Sequence, residues 1–115
     1  MPEIVGRFLE AVRAWGDVEV VAAGSYMRCH RRPSRAGAFA YVWPRAWKVN
    51  LRLPARAADA AEHARARKVK ADNPYQVTLF LSEANFDEAV GLAQRAWEEV
   101  GELARRIADG SHTNS

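Results

Sequence analysis

Two stretches of alternating large and small or polar residues, AFAYVW and WKVNLRL, are separated by Pro44, Arg45 and Ala46, and this constrains the fold more than any other feature of the chain. A period of two belongs to a strand with one face buried, and a three-residue break between two such runs suits a hairpin. Opposing Trp43 with Trp47 would pair Tyr41 with Val49 and Phe39 with Leu51, so the large apolar residues are expected to share one face and pack on helices. Ala38, Ala40 and Val42 would then share the other face with Lys48, Asn50 and Arg52.

The flanking sequence supplies the remaining elements. Ile4, Val5, Phe8, Leu9, Val12 and Trp15 recur at three- and four-residue steps, the stripe of an amphipathic helix from Pro2 to Trp15, ended by Gly16-Asp17. VEVVA, from Val18 to Ala22, reads as a short strand, and Tyr26 to Arg31 as a weaker one before the loop His30 to Gly37. AADAAEHARARKVK is Ala-rich and is expected to form a short helix, although it has little large apolar content to anchor one. YQVTLFL follows as a strand, with Tyr75, Val77, Leu79 and Leu81 on one face and Gln76, Thr78 and Phe80 on the other. Asn85 and Glu88 have the spacing of an N-cap and its N3 partner, with Ser82 as a competing start. Phe86, Val90, Ala93, Trp97, Val100, Ala104 and Ile107 then form the apolar stripe of a long helix reaching Gly110. The expected architecture is α+β: a small antiparallel β-sheet with N-terminal and C-terminal helices packed on one face, in a single domain over 1–110 with a disordered tail over 111–115.

Composition narrows the chemistry. Four Trp, three Tyr and four Phe in 115 residues favour a packed core over disorder. No apolar run approaches a membrane span and no secretory block opens the chain, so a cytoplasmic location is expected. Cys29 stands alone, which excludes an intrachain disulfide, and His30, His63 and His112 lack ligand spacing, so no metal site and no cofactor are expected. Phosphate-loop, zinc-hydrolase and nucleophile-elbow spacings are missing. Cys29 and His30 would point to opposite faces of a strand and so cannot form a dyad with each other. Whether any catalysis occurs is left open.

GAFAYVWPRAWKVNLRLPA, followed after a basic segment by PYQVTLFLSEANFDEAVGLAQRAWEE, resembles the uncharacterised bacterial family known as domain of unknown function 5655. The matching features are Phe39, Ala40 and Pro44, the alternating strand, and a last strand leading to a helix that carries Trp97. Relatives have a His-containing turn before the last strand where this chain has Ala71-Asp72-Asn73-Pro74, so no role of that turn carries over. Fusion of some relatives to nuclease-like modules implies a prior toward nucleic acid.

Charge is unevenly spread. Arg28 to Lys70 holds twelve Lys or Arg against two acids, and the remainder holds five against twelve. Either the middle meets an anionic partner or the acidic ends compensate it. The candidate anion-binding residues are Arg28, His30, Arg31, Arg32, Lys48, Asn50, Arg52 and Gln76, with Thr78 beside them and Phe80 available for stacking. The leading functional expectation is a non-catalytic binding or accessory domain for an anionic partner, nucleic acid first. One alternative is a binder of, or small enzyme on, an organic metabolite in an aromatic-lined pocket between sheet and helices, with Tyr26, Tyr41, Trp43 and Trp47 as wall candidates. The other is a homodimeric interaction subunit.

Overall fold

The computed structural model describes residues 1–33 and 36–113. Helix α1 (Glu3–Arg13) leads into strands β1 (Val18–Ala23), β2 (Tyr26–Arg31), β3 (Ala38–Trp43) and β4 (Lys48–Leu51). A 3₁₀ turn over Ala55–Ala58 precedes β5 (Arg65–Ala66), β6 (Val77–Phe80) and helix α2 (Phe86–Thr113). The strands form one antiparallel sheet in the order β1-β2-β3-β4-β6-β5. Both helices lie on one face of it, as the α+β reading expects. Among the described residues no helix is long and apolar enough to cross a membrane.

One buried cluster joins Val5, Phe8, Leu9 and Val12 of α1 to Ala89, Ala93, Ala96 and Val100 of α2. The helix-facing side of the sheet adds Cys29, Ala40, Val42, Val49, Leu51, Val77 and Leu79. Each large side chain removed from water here contributes roughly 1.5–3 kcal/mol before the cost of ordering the chain is charged. Trp15 bridges the layers, with ring centroids 6.3 Å from Phe39 and 5.7 Å from Trp97.

The central hairpin departs from the expected register. Trp43 pairs with Lys48, Val42 with Val49, Tyr41 with Asn50 and Ala40 with Leu51. The break is therefore four residues: a 3₁₀ turn over Pro44–Ala46 and then Trp47 in the left-handed region at φ 55°. A slip of one residue exchanges the faces. Val42 and Ala40 line the core, while Tyr41 and Trp43 stand on the far side with Lys48 and Asn50. Phe39 still reaches the core because of a β-bulge: Cys29 pairs with Ala40 but His30 with Ala38, so Phe39 is the extra residue and turns inward beside Ala40.

Three further expectations are corrected. The Ala-rich segment forms no α-helix; it keeps one 3₁₀ turn, and Ala57 and Ala64 tuck into the core instead. The reason is that Ala-rich helices of this length need a packed face, and this segment has none. Asn85 directly precedes α2, but its side chain turns back, donating from Nδ2 to the Phe80 carbonyl (2.6 Å) and accepting at Oδ1 from the Ser82 amide (2.9 Å). Glu88 does not complete a capping box; it accepts from the backbone amides of Glu62, His63 and Ala64 at 2.8–3.1 Å. Finally, α2 continues to Thr113 rather than stopping near Gly110, with every residue exposed from Arg105 to Asp109; of the expected tail over 111–115, residues 114–115 lie outside the described residues.

Candidate functional site

The sheet face turned away from the helices is built as rows across the strands. Arg28, Tyr41, Asn50, Thr78 and Arg65 are successive cross-strand partners, and Trp43, Lys48 and Phe80 form the adjoining row. Paired residues share a face, so these side chains emerge together. Tyr26 closes the second row, its ring centroid 5.5 Å from Trp43 and 5.6 Å from Tyr41. It is positioned by the two-residue turn Gly24-Ser25, where φ 67° at Gly24 meets the positive-φ demand of a tight hairpin. Lys48 places Nζ 4.5 Å from the centre of the Trp43 ring, and Phe80 is 60% exposed.

Tyr75 joins this face from the loop before β6, contrary to its expected place on the face of Val77, Leu79 and Leu81. Its ring meets Tyr41 edge-on at 4.9 Å, and its hydroxyl donates to the Ala38 carbonyl at 2.7 Å. Burial raises the phenol's pKa against the opposing pull of Arg52, so it stays a donor. Tyr75 precedes the first residue of β6, which frees it from the strand's alternation.

Tyr26, Tyr41, Trp43 and Tyr75, with Arg67, Asn73 and Asn50, enclose an open pocket of about 360 Å³. Arg67 is fixed by donating to the Tyr75 carbonyl at 2.7 Å. Asn50 is 3% exposed, and its Oδ1 accepts no hydrogen bond among the described residues. Leaving such an acceptor unpaired costs on the order of 1–3 kcal/mol.

The sequence-derived candidates divide between several places. Arg28, His30, Lys48 and Asn50 are on the outer face with three of the four expected aromatic residues. Arg28 Nε and His30 Nδ1 are buried without a partner among the described residues. Burial, then the charge of Arg28, pushes the His30 pKa down against the pull of Glu19, so its ring is neutral at pH 7. Arg52 is held at the margin, donating to the Ala36 carbonyl at 2.8 Å and lying 5.7 Å from the Tyr75 ring centre.

Arg31 alternates to the helix side, where it packs on α2. Arg32 lines a separate cleft of about 390 Å³ with Arg31, Pro33, Val100, Gly101 and Arg105. Gln76 is a brace: Oε1 accepts from the Ala55 amide and Nε2 donates to the Ala71 carbonyl. Trp47, at the hairpin tip, is 46% exposed and does not line the pocket. The pocket is thus on the opposite side of the sheet from where a cavity between sheet and helices would lie. Arg65, Arg67 and Asn73 are not among the residues that the sequence singles out, because their strand and loop read as part of a helix or as plain punctuation.

Glu62, His63 and Glu88 bring three ligand-type atoms within 4.8 Å of one another. The Glu88 carboxylate, however, is engaged by three backbone amides and by the His63 ring at 3.3 Å. It acts as a fastener for residues 62–64. Comparison with known proteins adds nothing: no family model, curated protein or solved structure matches the chain.

Proposed function

We propose that this protein is a non-catalytic domain that binds single-stranded nucleic acid across the outer face of its sheet. The observation that carries the reading is the interleaving of aromatic rings with unneutralised cations on that face. Tyr26, Tyr41 and Trp43 are in mutual contact, and among the described residues none of Arg28, Lys48, Arg52, Arg65 and Arg67 is ion-paired with a carboxylate. The ion pairs lie elsewhere, at Arg7–Glu83, His63–Glu88, Arg95–Glu99 and Arg105–Glu102. Of the acidic residues outside the basic middle, Glu19 reaches this side opposite His30, but among the described residues it forms no ion pair with these cations. Stacked bases and tracked phosphates use this combination, each stacked base contributing about 1–3 kcal/mol.

A second reading, a free organic ligand, is favoured by the walled pocket over Asn50. Titration of intrinsic fluorescence with short single-stranded oligonucleotides at two salt concentrations tests the first. Saturable quenching is expected, weakening steeply with salt, and Arg28→Ala and Lys48→Ala should each lower the salt slope by about one. Absence of binding at low salt, or binding indifferent to both substitutions, overturns it; quenching by nucleosides alone supports the second reading.

A further inference from the structure

We propose that the pocket over Asn50 reads the edge of one nucleobase, so that this face selects among sequences as well as holding a strand. The inference rests on the proposed nucleic-acid reading and adds to it a residue and a kind of specificity.

Asn50 is the argument. It sits on β4, a central strand, in a row where Tyr41 and Thr78 are its direct neighbours. Strand preference at such a position favours β-branched and aromatic residues and disfavours Asn. Its burial is nearly complete, yet Oδ1 has no partner among the described residues. A buried carboxamide oxygen left unpaired weakens the fold, and violations of this kind are expected where a ligand supplies the missing partner.

The surroundings define that partner. Asn50 lines a pocket whose other walls include the Tyr26, Tyr41, Trp43 and Tyr75 rings, so the occupant is flat and apolar on its faces. A carboxamide carries an acceptor beside a donor, and the complementary edge carries a donor beside an acceptor. Nucleobases present such edges once unstacked from a duplex, and single-stranded recognition reads them in this way. Arg67, on the rim, is placed to meet the attached phosphate.

The experiment compares short single strands of dA, dC and dT, and an abasic strand of equal charge, at one low salt concentration, with the wild-type protein and Asn50→Leu. Leucine is close in volume and removes the unpaired amide, and thermal unfolding reports whether the variant is folded. The wild type is expected to discriminate among the three homopolymers by about 5-fold or more, the size of one good paired base contact. Asn50→Leu is expected to bind all three alike with an unchanged salt slope. Should Asn50→Leu fail to fold, Asn50→Ser replaces it, with the same expectation. Equal wild-type binding to all three bases, or discrimination that survives in the folded variant, overturns the inference while leaving the face a nucleic-acid binder. Failure of every strand to bind overturns both.

Discussion

The Arg31 guanidinium lies 3.7 Å from the centre of the Trp97 ring and donates to the Trp97 carbonyl at 3.0 Å. This joins the end of β2 to the middle of α2 on the side opposite the candidate site. Space for it is provided by Gly101, one turn further along: a Cβ there would come within 2.6 Å of Arg31 Cζ. A cation on an aromatic face, desolvated and hydrogen-bonded, is worth about 1–2 kcal/mol.

Gly101→Ala should therefore have different effects in two backgrounds. With Arg31 present, the gain in helix propensity of about 1 kcal/mol is offset by expulsion of the guanidinium. In Arg31→Ala, the same substitution should stabilise by about 1 kcal/mol. Urea unfolding of the four proteins gives the coupling energy, and simple additivity would show that the glycine does not exist to accommodate the arginine.

Glu88 gives the fold an acid sensitivity. Burial pushes its carboxyl pKa up, but the amides of Ala64, His63 and Glu62, with the His63 ring, outweigh burial and hold it below the ordinary 4.5. Because the folded pKa is lowered, this contribution is complete above the unfolded pKa and is lost as pH falls through the folded value. Glu88→Gln should cost about 1–3 kcal/mol at pH 7, and its difference from the wild type should shrink below about pH 4.5. Chemical unfolding across pH 3–7 measures this; a constant difference would place the effect in packing, not charge.

Cys29 should report global opening. Burial pushes its thiol up to about 12, with Arg13 pulling the other way, and no surface of it meets solvent. Alkylation at pH 8 should be slow in the native protein and complete in denaturant, because the thiolate is the reactive form. Rapid stoichiometric labelling of the folded protein would contradict the packing described for β2.

Much of the secondary structure was legible in the sequence because it depends on local periodicity. The α1 stripe, the alternation of β3, β4 and β6, and the long α2 stripe each identify an element whatever surrounds it. So did the separation of Cys29 from His30, which follows from strand geometry alone. The uneven charge was legible too, but not its direction in space.

What the sequence left undecided was which face each residue occupies. A four-residue hairpin break and a bulge at Phe39 differ from the simplest register by one residue each, and one residue inverts a strand. That difference sends Tyr41 and Trp43 to the outer face, builds the pocket over Asn50, and keeps Phe39 in the core. Likewise, alternation separates Arg31 from Arg28 by the thickness of the sheet, though they read as one basic cluster. The loop at 62–64 is held by Glu88, a carboxylate some 25 residues distant. Such contacts are energetically specific and non-local: periodicity supplies the elements, and only tertiary packing chooses among registers that local sequence leaves nearly equal.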